Sequence, residues 1–136
     1  MRFSKLRAGG RDHILVNTID SADDDWKRLA ALICAESSGV SGDGFGVLSH
    51  RGRANFDLRC FDPDGTPAES DATWAAVAAT SIRRRYGYRN ILLHADGRAC
   101  RTQITGDTVS VQPWPAGNSA LTRVDVTYLL EGELIG

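Results

Sequence analysis

The chain has 136 residues, 42% of them hydrophobic and 24% charged, with a formal net charge of −1. That is enough for one domain with its own core, and so small a charge provides no field to draw it to nucleic acid or an acidic membrane surface. No apolar run approaches the roughly 18 residues of a membrane span, and Met1–Arg7 lacks a signal-peptide core, so a cytoplasmic protein is expected.

Residues 2–7 and 13–19 read as two short strands around Gly9-Gly10. Glycine permits a tight turn there, and Ile14, Leu15, Val16 and Ile19 supply β-branched and apolar bulk. Ser21 offers an N-cap, Asp23, Asp24 and Asp25 suit a first helical turn, and Trp26, Leu29, Ala30 and Ile33 recur at helical spacing. A helix is therefore predicted from about residue 23 to 37, ended by the glycines and serines of Ser37–Gly46. Phe45, Val47 and Leu48 suggest a strand. Phe56, Leu58 and Cys60 alternate with Asp57 and Arg59, the period of a half-buried strand.

A second helix is predicted from Ser70 or Asp71 to Tyr86, with Trp74, Val77, Ala78 and Ile82 on its apolar face. Arg83, Arg84 and Arg85 suit its C-terminal dipole, and Gly87 its stop. Strands at roughly 89–95, 98–104 and 108–113 follow, joined by Ala95-Asp96-Gly97 and Thr105-Gly106-Asp107. Pro113, Pro115, Gly117, Asn118 and Ser119 form a linker, and a final strand runs from Arg123 to about Leu134. Cys34, Cys60 and Cys100 form no C-x-x-C pair, and His13, His50 and His94 are scattered. Neither a disulfide framework nor a zinc site is expected.

The stretch Phe56–Val77, FDLRCFDPDGTPAESDATWAAV, carries a further signal. It resembles the segment around the first catalytic cysteine of diaminopimelate epimerases, in which a strand leads to Asn-Pro-Asp-Gly, then Glu, then Cys-Gly-Asn-Gly at a helix start. Here the turn is Asp62-Pro63-Asp64-Gly65 and the glutamate is Glu69. Asp71, Ala72, Thr73 and Trp74 replace Cys-Gly-Asn-Gly. Phe3-Ser4-Lys5 with Gly10-Arg11-Asp12-His13, the Gly39–Gly44 loop, Ile91–His94 and Leu130-Glu131-Gly132-Glu133 are similar to further family segments, in the same order.

The resemblance implies an α+β fold, half of a diaminopimelate epimerase: a curved mixed β-sheet or barrel wrapped around a central helix at 71–86. Residues 1–136 would form a single domain, with the family's second domain absent. It also implies that no cofactor is needed. Two-thiol racemisation is not expected, because Asp71 stands where the first cysteine belongs and Cys60 lies inside a strand. What remains is an isomerase or cyclase acting on a small molecule in a specialised biosynthetic pathway, by acid–base or positioning catalysis. The alternative is a non-catalytic module that binds a metabolite or a protein.

Asp71, Glu69 and His13 are the candidate catalytic residues, and Arg11, Asp62, Ala72, Thr73 and Trp74 the candidate substrate contacts. Most of them have a plainer reading. Asp71 is an N-cap worth about 1 kcal/mol, Asp62 and Asp64 are turn residues, Glu69 is a solvated loop residue, and Trp74 is a core residue on the helix face. Arg11 is a surface cation and His13 a half-buried strand residue. A lone half leaves one side of its cleft uncovered, so a homodimer is expected to rebuild it. Neither nucleic acid nor a membrane is an expected partner.

Overall fold

A computed structural model describes residues 2–18, 25–35, 40–114 and 121–133. Ile19, the Ser21 cap, Asp23, Asp24, Ser37, Gly39, the linker residues Pro115, Gly117, Asn118 and Ser119, and Leu134 lie outside the described residues. The elements run β1 (Arg2–Ala8), β2 (Arg11–Thr18), α1 (Trp26–Cys34), β3 (Gly44–Gly52), β4 (Asn55–Phe61) and β5 (Pro67–Ala68). Then come α2 (Ala72–Tyr86), β6 (Asn90–Ala95), β7 (Arg98–Thr105), β8 (Thr108–Trp114), β9 (Thr122–Asp125) and β10 (Thr127–Glu133).

One mixed sheet carries the strands in the order β10-β1-β2-β3-β4-β6-β7-β8-β9, with β5 paired to β4. The pairs β2–β3 and β4–β6 are parallel and the rest antiparallel. Each parallel pair needs a crossover, which α1 and α2 provide. The last stretch of chain closes the sheet on itself: Thr122–Asp125 pair with β8, and Thr127–Glu133 pair with β1. Only Val126 separates the two. The single final strand expected from sequence is thus two, each serving a different end of the sheet.

The helices take opposite faces. Trp26, Ala30 and Ile33 of α1 pack outside, on Phe3, Ile14, Val16, Phe45, Val47 and Phe61. α2 runs inside, among Leu6, Leu15, Leu48, Phe56, Leu58, Leu93, Val109, Val111 and Val124. Both faces of β2 are therefore covered, which explains why His13–Val16 is a continuous buried run without alternation. In α2, Ala75–Ala79 are buried without interruption. A helix buried all round is an enclosed one, and methyl side chains let strands approach it from every side. Asp71 caps its start, and Gly87, with φ 87°, ends it by donating its N–H to the Arg83 carbonyl.

The Asp62–Gly65 segment forms a closed turn, with the Gly65 N–H on the Asp62 carbonyl at 2.9 Å. The Asp64 carboxylate accepts from the Thr66 N–H at 2.9 Å and the Thr66 hydroxyl at 2.6 Å. Gly65 has φ 91° and lies against the Lys27 carbonyl of α1, where no side chain fits. The short β5 escaped the sequence reading because two residues leave no period to detect. Gly44 and Gly46 belong to β3, not to a preceding loop. Among the described residues no helix is long and apolar enough to cross a membrane.

Candidate functional site

The site is built around the first turn of α2. Asp71 has extended backbone (φ −96°, ψ −175°), and its Oδ1 accepts from the Trp74 N–H at 2.9 Å and the Thr73 hydroxyl at 2.6 Å. Its Oδ2 stands 3.5 Å from Arg11 Nη2, with both side chains more than half exposed. An ion pair so open to water contributes little. Partial burial raises the Asp71 pKa, but the Thr73 and Trp74 hydrogen bonds and the charges of Arg11 and His13 together leave it below its ordinary value. Asp71 is a carboxylate at neutral pH, already engaged in holding the helix end.

Beside it, on the β6–β9 side, opens a pocket of about 330 Å³. Ala72, Ala75, Leu93, Ala95, Val111 and Pro113 give it apolar walls, and Ser70, Asp71, Arg98, Cys100 and Thr122 give it polar points. The Ser70 N–H donates to Asp96 Oδ2 at 2.9 Å, which ties the approach to α2 to the β6–β7 turn. Burial raises the Cys100 thiol to about 11 and, with lesser influences, holds Cys60 well above its ordinary value. Neither is a thiolate at neutral pH.

The β2–β3 side is closed instead. Trp74 is 6% exposed, and its indole lies on the backbone of Gly44 and Gly46. The His13 ring meets it edge-on, with centroids 4.6 Å apart. His13 is itself 2% exposed, and its Nδ1 is buried without a hydrogen-bond partner.

Of the candidate residues, Asp71 and Ala72 line the pocket. Thr73 braces the Asp71 carboxylate, and Arg11 reaches Asp71 from the surface. Trp74 and His13 are core residues packed on each other. Asp62 and Glu69 are exposed, with Asp62 accepting from the Thr66 hydroxyl at 3.4 Å. Sequence reasoning missed Arg98, Cys100 and Thr122. They sit on two strands, β7 and β9, whose faces are set only by ring closure, and no local motif marks them. Among the described residues no group of three or more His, Cys, Asp or Glu side chains is arranged to hold a metal ion.

Burial lowers the His13 pKa first, and the Arg11 charge adds to it, against smaller raising effects from the Arg11 carbonyl, Asp71 and Asp43. Between that depressed value and 6.5 the unfolded chain binds more protons than the folded one, so stability falls as pH drops through this window. His13→Phe keeps a ring against Trp74 and removes this part of the slope. Its urea midpoints at about pH 7.5 and about pH 5.5 should lie closer together than those of the parent. An unchanged gap would locate the acid sensitivity elsewhere.

No protein-family model matches the chain. Among curated proteins it is 30% identical over 131 residues to the diaminopimelate epimerase of Desulforudis audaxviator, covering 93% of this chain and 43% of that protein. Among solved structures it superposes on a predicted epimerase from Pseudomonas aeruginosa with a TM-score of 0.64 and 14% identity, over 81% of this chain and 42% of the other. The chain is similar to diaminopimelate epimerases over nearly all of its own length and shares the epimerase fold. A hydroxyproline epimerase from Agrobacterium vitis, with bound trans-4-hydroxy-L-proline, shares the fold at a TM-score of 0.58 and 13% identity, over 82% of this chain and 41% of that one. The chain spans less than half the length of the relatives it matches. Asp71, Ala72, Thr73 and Trp74 occupy the helix start that the sequence resemblance assigns to Cys-Gly-Asn-Gly.

Proposed function

We propose that this chain binds a compact zwitterion, an amino-acid-like molecule with a short apolar body, in the pocket at the start of α2. The observation that carries the reading is that Asp71 and Arg98 both border one pocket with alanine, leucine and valine walls. Asp71 would hold an ammonium group and Arg98 a carboxylate. The isomerase-type fold favours a cofactor-independent isomerase or cyclase of specialised biosynthesis. In that case Asp71 acts by charge and position: its lowered pKa makes it a poor proton donor at neutral pH. A second copy of the chain, facing the pocket as a homodimer, would supply the proton-transferring groups.

A second reading, a metabolite-binding module without turnover, is favoured by one observation. Asp71 is held below its ordinary value and the Cys100 thiol is raised to about 11, so neither of these pocket walls is poised near neutrality. One experiment separates the readings. Amino acids with small apolar side chains, and their deaminated and decarboxylated analogues, are titrated calorimetrically into the parent and Asp71→Asn. Deuterium uptake at the α-carbon is followed in parallel.

Zwitterions should bind best, and Asp71→Asn should weaken them by about tenfold or more. Asparagine caps a helix as well as aspartate, so the urea midpoint should barely move. Deuterium uptake selects the isomerase, and binding without uptake selects the module. Failure of every zwitterion to bind would reject both.

A further inference from the structure

We infer that Trp74 is a resident occupant of the site: its indole fills the half facing β2 and β3 and confines any ligand to the half facing β6–β9. The packing is reciprocal. A Cβ at Gly44 would lie 2.8 Å from Trp74 Cζ2, and one at Gly46 would lie 2.6 Å from Trp74 Cζ3 and 2.7 Å from Leu15 Cδ2. Real side chains do not approach so closely, so the indole rests on backbone that two glycines leave bare. The His13 ring closes the edge of the indole at an interplanar angle of 86°.

The open pocket is lined by none of His13, Leu15, Gly44, Gly46 and Trp74. Arg11 belongs to the plugged side and meets the site through Asp71 Oδ2. Trp74 therefore sets the site's specificity. It takes up the space on the β2–β3 side of the helix start and leaves a chamber of about 330 Å³ with one carboxylate and one guanidinium on its walls.

This rests on the small-molecule reading only for what occupies the remaining chamber, and the plug itself is tested without that ligand. Trp74→Ala should leave a void bordered by His13, Leu15, Gly44 and Gly46, which the unpartnered His13 Nδ1 lets water enter, and indole is the probe that displaces that water. We expect indole to raise the melting temperature of Trp74→Ala saturably while leaving the parent unmoved. The His13 pKa, read by NMR, should rise towards 6.5 in the variant as water reaches the ring, and fall again when indole is added. Arg11, Asp71, Asp43 and Asp12, the charged groups coupled to His13, are unchanged throughout.

A folded Trp74→Ala that does not respond to indole would overturn the inference, as would an equal response from the parent. If Trp74→Ala does not fold, Trp74→Phe keeps a ring on the glycines and leaves a smaller void for xenon. Shifts of the Leu15 and His13 resonances under xenon would then support the plug, and their absence would reject it. Indole rescue without zwitterion binding leaves the plug standing and removes the proposed ligand. The reverse pattern removes the plug alone.

Discussion

Phe56→Ala should destabilise the protein by about 3–5 kcal/mol, the range for truncating a buried aromatic ring. Phe56 is fully buried at the start of β4. Its ring stacks on His50 at 4.5 Å and meets Tyr86 at 5.1 Å and Tyr88 at 6.5 Å, below the C-terminal end of α2. The loss should be felt at a vulnerable place. β4 and β6 pair over three positions only, Asn55–Asp57 with Leu92–His94, and Phe56 is the middle one. A void there weakens a short seam of the sheet as well as the core. Phe56→Leu, which leaves a smaller void, should cost less. Urea unfolding of both variants checks the order, and a loss below about 1 kcal/mol for Phe56→Ala would contradict this account of the core.

Gly46→Ala should cost about 1–3 kcal/mol, although it adds only a methyl group. Gly46 pairs with Leu15 on one side and Cys60 on the other, so the strand cannot shift to make room without disturbing two ladders. The new Cβ meets the Trp74 ring at 2.6 Å and Leu15 Cδ2 at 2.7 Å. The leucine methyl lies at the end of a rotatable side chain and can yield. The indole is wedged between β3 and α2 and cannot. In a Trp74→Ala background the cost of Gly46→Ala should therefore largely vanish, giving a coupling of the size found for residues in contact. A Leu15→Ala background should relieve it less. Additive losses for Gly46 and Trp74 would mean that the two do not press on each other.

The frame of this protein was legible in its sequence, because local signals and tertiary demands agree there. The span 72–86 reads as a helix from its Asp71 cap to its Gly87 stop, and both caps operate as their chemistry suggests. The hairpins at Asp96-Gly97 and Gly106-Asp107 fall between strands within a residue of those expected. The interruption at Val126 was not legible, since it depends on where β8 and β1 stand in space.

The site divides in the same way. That Asp71 lies at a helix start follows from spacing, whereas the position of the pocket does not. Trp74 reads equally as core or as ligand wall until Gly44 and Gly46 are seen beneath its ring. Arg98 gives no sign of itself, because a polar residue beside a hairpin turn is ordinary. Its place on the pocket follows from the order β6-β7-β8-β9 around α2.

The way the sheet closes has a kinetic consequence. Joining β1 to β10 brings Arg2 against Glu133, nearly the full length of the chain apart. Loop-closure entropy opposes such a contact until the intervening elements are in place, and proteins rich in such contacts fold slowly. The final strand is thus expected to act as a late-fastening clasp. Until it fastens, the alanine-rich core helix stays open to water and to other unfinished chains.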